Sequence, residues 1–239
     1  MDKKRHLPIA TFINIAAVVV GSLLGLWLNN IFPEEMKDII FQAIGLGTLV
    51  IGLLMCLKIQ DGYMLIFIFS LIIGGIIGQA IGIDKALISL GDSLKESLNL
   101  GEGLFTEGLV TASLLFCIGS MAILGAIEEG LSGKRELLLV KSTLDGITSI
   151  AFAATYGIGV LFSIIPMLFL QGGITLAAGR LEHFFTPSII SQISVTGGTL
   201  ILAIGINMLK LGEINIENLL PSIFIVVIFT ALYDKYLKN

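Results

Sequence analysis

Two opposite charges interrupt an apolar run long enough to cross a bilayer. The stretch "LLLVKSTLDGITSIAFAATYGIG", residues 137–159, carries Lys141 and Asp145 four positions apart. On an α-helix this spacing sets both side chains on one face, a turn from each other. Asp145 then lies about 12 Å along the axis from residue 137, at 1.5 Å per residue, well inside the hydrocarbon. A carboxylate at that depth is costly and faces a bundle interior, a partner or a water-filled cavity. Two chemistries fit. The pair can neutralise itself, with Lys141 snorkelling toward the cytoplasmic surface. Alternatively, Asp145 answers to a proton or a cation, with Thr148 and Ser149 a turn further on as helpers.

Other polar residues sit in neighbouring apolar runs. "FTEGLVTASLLFCIGSMAILGAIEEG" sets Thr106, Ser113 and Ser120 at intervals of seven, with Cys117 between the last two. A small polar stripe of this kind serves as a packing seam, as a pore lining, or as both. Further on, Pro166 removes one backbone hydrogen bond, and Gln171, Gly172 and Gly173 follow within two turns. The freed carbonyl must be buried or face water, so the segment is either an inert kink or a place where an ion or solute binds. Asn14, Gln42 and Asn207 read as interhelical hydrogen-bonding amides. Glu128 and Glu129, just before "GLSGKRE", read as a solvated cytoplasmic turn. His6 and His183 lie at helix edges and form no metal or catalytic constellation. With no nucleophile–base arrangement and no phosphate-cradling glycine loop, the reading is of a non-enzyme without a cofactor.

The elements that hold these residues follow from composition. The chain has 239 residues, 55% hydrophobic and 13% charged, with a mean hydropathy of +0.98. Such a chain belongs in lipid. A spanning helix needs roughly 20 apolar residues. On that measure the fold class is all-α, a polytopic transmembrane helix bundle forming a single integral membrane domain over 1–239. Its eight spans fall at 8–28, 38–57, 62–83, 104–127, 137–157, 159–180, 187–209 and 218–236. Between the fifth and sixth spans only Gly157 and Gly159 punctuate the run, which leaves a tight turn or one interrupted helix. Residues 84–103 differ. Leu87, Leu90, Leu94 and Leu98 recur at helical spacing while Asp92, Lys95 and Glu96 take other faces, the pattern of an interfacial amphipathic helix.

The net charge of −4 is scattered over short connections, so the partner is the lipid bilayer and nucleic acid is set aside. Cys56 and Cys117 lie in apolar runs, lack zinc-site spacing and read as free thiols. The basic, then apolar, first 30 residues lack a small-residue cleavage site, so this segment is read as a retained helix. Basic residues assign orientation. With both termini cytoplasmic, ten lie inside (Lys3, Lys4, Arg5, Lys58, Lys134, Arg135, Lys141, Arg180, Lys235 and Lys238) against four outside (Lys37, Lys85, Lys95 and Lys210).

A faint internal repeat is visible. A shift of 153 lays 45–55 on 198–208, matching Gly45 with Gly198, Leu49 with Leu202, Ile51 with Ile204, Gly52 with Gly205 and Met55 with Met208. Helices one to three would then correspond to helices six to eight. An odd displacement of five spans makes the copies opposite in orientation, an inverted repeat of the kind transporters use. Gly21 with Gly25 and Gly74 with Gly78 have the small-residue spacing that serves either a homo-oligomer or packing within one bundle.

Three segments carry a wider likeness: "EGLVTASLLFCIGSMAILGAIEEGLSG", "LLLVKSTLDGITSIAFAATYGIGVLFSIIPMLFLQGGITLAAG" and "GGTLILAIGINML…NLLPS". With them the chain resembles, over nearly its whole length, the prokaryotic domain-of-unknown-function 554 family, the YdfK/YqgA-like multispan membrane proteins. Its charged start "MDKKRH" is longer than the family's usual opening. The resemblance implies a bacterial inner-membrane protein and carries over no activity and no functional residue. From the residues themselves the expected function is a secondary transporter or ion-coupled permease for a small solute or ion. Its pathway would be lined by Asp145, Lys141, Thr148, Ser149, Ser113, Cys117, Ser120 and Gln171. A passive channel and a non-transporting scaffold or sensor are the alternatives.

Overall fold

The computed structural model describes residues 6–31, 33–97 and 104–236, and all regular structure among them is helical. Seven helices are long and apolar enough to cross a bilayer, and a bent pair makes an eighth, matching the eight spans expected. In chain order the first four are α1 (Ile9–Ile31), α2 (Glu34–Cys56), α3 (Met64–Ile81) and α4 (Ile83–Ser97). The bent pair is α5 (Phe105–Cys117) and α6 (Ser120–Ser132), followed by α7 (Glu136–Tyr156). The next span is assembled from α8 (Gly159–Phe162), α9 (Ile164–Met167), a π-helical turn (Leu168–Gly172) and α10 (Gly173–Leu181). The chain closes with α11 (Pro187–Met208), a 3-10 turn (Glu217–Leu219) and α12 (Ser222–Tyr236).

One of these elements differs from the sequence expectation, and one alternative left open there is resolved. The fourth span is not one rod: α5 and α6 meet at a 58° bend. Ile118 and Gly119 lie between them in extended conformation, and the helical stretch continues to Ser132 rather than stopping near 127. The doubtful division between the fifth and sixth spans resolves into two separate helices. Gly157, at φ 73° and ψ −150°, ends α7 in a conformation open only to glycine without strain. The chain then turns back. Asn29 near the end of α1 donates to the Ala154 carbonyl, whereas Asn14 near its start meets both Asp145 and Gln171.

The chain divides into two compact units, one of Met1–Ile44 with Glu102–Phe185 and one of Gly45–Gly101 with Thr186–Asn239. In the first, α1 and α7 run parallel in the most extensive helix contact of the unit. Glycine makes this approach possible. A Cβ at Gly21 would stand 2.2 Å from the Gly146 carbonyl oxygen, and one at Gly25 would stand 2.2 Å from that of Ile150. These glycines therefore serve packing within the chain. So do Gly74 and Gly78 within the second unit, whose Cβ positions run into Ser222 at the start of α12 and Asn218 in the 3-10 turn.

In the second unit the two segments related by the 153-residue shift lie against each other, antiparallel, in α2 and α11. A Cβ at Gly52 would meet the Leu202 backbone nitrogen at 2.4 Å, and one at Gly205 would meet that of Leu49 at 2.7 Å. Gly198 likewise faces Met55 while Gly45 faces Met208. The shift exchanges each contact with its counterpart, so this seam is self-complementary. The outer helices are less alike: α1 is continuous, whereas residues 162–184 contain the π turn.

Helix α4 follows α3 through Gly82 at φ 74° and is tied to the second unit at its start. The Asp84 N–H donates to Asn218 Oδ1 at 3.0 Å, and the Asn215 amide donates to the Asp84 carboxylate at 3.2 Å. The segment is helical, as the leucine spacing predicts, as far as Ser97. Leu98 lies outside the described residues, as do the side chains of Leu90, Asp92, Leu94 and Lys95.

The close contacts predict a sharp contrast between two glycines. Gly25→Ala pushes α1 off α7 and should lower stability by about 1–3 kcal/mol. Gly47→Ala, on α2 with nothing within 4 Å of its Cβ position, should leave stability unchanged or slightly raised. Thermal unfolding of the purified variants in detergent reads the difference.

Candidate functional site

Helix α7 brings Lys141 and Asp145 onto the face that packs inward, where their side chains are 8% and 9% exposed. The ammonium donates to Asp145 Oδ2 as the i,i+4 spacing anticipated. That same oxygen accepts a second hydrogen bond, at 2.9 Å, from the amide of Asn14 on α1. Asn14 also donates to Gln171 Oε1 at 3.3 Å, and the Gln171 amide donates onward to the Phe116 backbone carbonyl at 3.3 Å. A continuous polar chain thus joins α7, α1, the π turn and the end of α5. Lys141 is held on its other side by the Phe116 ring, 6.0 Å from the ammonium to the ring centroid, the outer reach of a cation–π contact.

Backbone irregularity and charge coincide here. Phe116 lies one residue before the last of α5, where helix carbonyls lose their i+4 donors. Gln171 lies in the π turn that follows Pro166, and its side chain is almost wholly buried. π turns inside helices are frequent at functional sites, because one extra residue per turn re-aims the side chains. The site is not fully satisfied: Asn14 is 0% exposed, and its Oδ1 has no partner among the described residues.

The residues singled out from the sequence divide into two groups. Lys141, Asp145 and Gln171 meet directly through Asn14. Cys117 ends α5 within electrostatic reach of both charges, and Ser120 opens α6 just past the break. Ser113, one turn before Cys117, keeps a buried Oγ without a partner among the described residues. Thr148 and Ser149 do not join. Thr148 returns its hydroxyl to the Leu144 carbonyl at 2.7 Å. Ser149 bonds the Gly146 carbonyl at 2.8 Å and packs under Gly21.

Comparison with known proteins places the chain at this point. The family described as "Protein of unknown function (DUF554)" matches residues 9–231. The chain belongs to this family. It is 38% identical over 223 residues to the "Uncharacterized membrane protein YdfK" of Bacillus subtilis (strain 168), covering 92% of this chain and 95% of that one. It is 29% identical over 235 residues to the "Uncharacterized protein YqgA" of Escherichia coli (strain K12), covering 96% and 99%. No solved structure matches the chain.

Beside the central cluster, this DUF554 member holds a second buried charge that sequence reading placed in solvent. Glu129 is 0% exposed, and its Oε1 accepts from the Ala10 N–H at the start of α1 and from Arg135 Nε, both at 2.9 Å. The reason is the extra length of α6. Because the helix runs on to Ser132, Glu129 shares a face with Ala122, Gly125 and Ala126, while Glu128 points outward. A carboxylate at the first turn of α1 also answers unpaired N–H groups and the helix dipole. The i, i+3, i+4, i+7 spacing of Ala122, Gly125, Ala126 and Glu129 was the available signal.

Breaking the central pair should cost far more than removing it. Asp145→Asn alone, or Lys141→Met alone, leaves an uncompensated buried charge and should destabilise the protein by about 3–5 kcal/mol in buffer free of alkali-metal ions. The double variant should recover most of that loss. A double-mutant cycle by thermal unfolding that finds the two effects simply additive would contradict this coupling.

Proposed function

We propose that this membrane protein is an ion-coupled permease, a secondary transporter for a small solute or ion, and that it moves its substrate without transforming it. The observation that carries this reading is the coincidence of a buried Lys141–Asp145 pair with two interruptions of helical backbone, the α5–α6 break and the π turn. Irregular backbone at membrane depth is tolerated where it is buried in protein or lines a water-filled cavity, and transporters place substrate and coupling-ion sites at such discontinuous helices. Asp145 is the ion-responsive group and Lys141 its charge partner. Asn14 and Gln171 relay between helices, and Ser113, Cys117 and Ser120 line the approach.

A further observation favours the same reading. The self-complementary α2–α11 seam is what an inverted repeat would make at its internal axis, and inverted repeats underlie alternating access. The likeness to bacterial relatives favours the cell (inner) membrane as its place, and the distribution of basic residues favours both termini cytoplasmic.

Reconstitution tests the proposal. Proteoliposomes assayed over alkali cations, protons, amino acids and carboxylates should give a saturable flux that falls at least about tenfold in Asp145→Asn, as loss of an intramembrane charged site implies. Conductance without saturation would make the protein a passive channel. Absence of any Asp145-dependent flux across the panel would favour a scaffold or sensor held together by a dry ion pair.

A further inference from the structure

The central cluster has more oxygen than hydrogen to match it. Asp145 supplies a carboxylate, Asn14 an amide oxygen, Gln171 a second amide oxygen, and Phe116 a backbone carbonyl at the open end of α5. The Asn14 amide nitrogen serves both Asp145 and Gln171, while its own oxygen, buried to 0% exposure, has no partner among the described residues. That oxygen shares a carbon with a nitrogen 2.9 Å from Asp145 Oδ2, so rotation of the amide turns it toward the carboxylate. Among the described residues, the positive group facing these oxygens is the Lys141 ammonium, which reaches them through a single hydrogen bond to Asp145. A buried amide oxygen without a donor, on a group that meets a carboxylate and a second amide oxygen, is an incomplete cation shell once it rotates toward them.

We infer that Asp145, Asn14 and the Gln171 amide oxygen form a seat for one small alkali-metal cation, which the Lys141 ammonium fills as a tethered substitute. The inference rests on the permease reading for its purpose and names the class of ion that site takes. Charge fixes the valence. The seat has one carboxylate, and no cluster of three His, Cys, Asp or Glu side chains occurs among the described residues, so it lacks the ligands that hold a divalent ion. Ion and ammonium exclude each other, because two positive charges a few ångströms apart in a poorly solvated site repel strongly. The ammonium can withdraw along α7 toward its N-terminal end on its flexible stem. The Asn14 amide then rotates, offering oxygen to the metal ion where it had offered N–H to the carboxylate.

The test is thermal unfolding of the purified full-length chain in lithium, sodium, potassium and N-methylglucamine chlorides at equal ionic strength. Lys141→Gln removes the tethered occupant and leaves the seat. It should be stabilised saturably by at least one alkali ion relative to N-methylglucamine, at a concentration about tenfold below that acting on the wild type. Adding Asn14→Leu or Asp145→Asn should abolish that response. Equal unfolding temperatures for Lys141→Gln in all four salts would overturn the inference, as would a response that survives Asp145→Asn. A second measurement needs no folded Lys141 variant: equilibrium dialysis of the wild type against radioactive sodium and rubidium. One saturable site lost in Asp145→Asn supports the seat, and no Asp145-dependent binding of either ion refutes it. Asp145-dependent flux without any ion response refutes the seat and leaves the permease standing. Ion binding without flux does the reverse.

Discussion

An ionised carboxylate away from water must find other partners, and the first unit of this protein is arranged around that requirement at Asp145. Its own helix supplies Lys141 one turn away, but an ammonium satisfies only part of a carboxylate's hydrogen-bonding capacity. The second donor comes from Asn14, which α1 can deliver only because Gly21 and Gly25 let two backbones approach to near contact. Asn14 needs an acceptor in turn and finds it in Gln171, which the π turn aims inward. Gln171 reaches the carbonyl left open where α5 ends. Glycine seam, π turn and broken span thus answer one electrostatic demand. In a low-dielectric interior each link is strong when made and costly when missing.

The same logic recurs at the other charged cluster of this unit. Glu129 joins the start of α1 to Arg135, the residue just before α7. The α1–α7 pair is therefore pinned twice by buried carboxylates, once at its beginning and once a turn further along α1. These links fix the register of α1 against α7. That suits a scaffold against which the α5–α6 break and the π turn can rearrange, since packed helices change by switching between discrete arrangements.

Much of this architecture was legible in the sequence because lipid imposes length and hydropathy so strictly. The eight spans, the start of α4 and the inward Lys141–Asp145 face all follow from apolar run length and helical spacing. The break in the fourth span was not legible. "CIGSM" offers one glycine in a chain with 28, and Gly119 is extended rather than left-handed, so no turn motif marks it. Asn14 was read as an interhelical amide, as it is, but its partner lies 131 residues away and only the fold joins them. Glu129 was placed in solvent because the pair "EE" beside "GLSGKRE" resembles a turn, and the small-residue face beneath it outweighed that resemblance. Thr148 and Ser149 sit at plausible spacing from Asp145, yet bond back to their own helix, as hydroxyls in helices commonly do.

The claim at the centre of this account is that water reaches the break beside the buried pair. The most direct measurement uses chains carrying one cysteine each, made on a Cys56→Ala, Cys117→Ala background: Ser113→Cys, Ser120→Cys, and the chain in which Cys117 alone is kept. Sealed vesicles of each are treated with a membrane-impermeant thiol reagent from one side and then from the other. The account predicts labelling at these depths, with at least one position reached from both sides. Complete protection of all three in a folded protein would contradict it and make the Lys141–Asp145 pair a dry structural clasp.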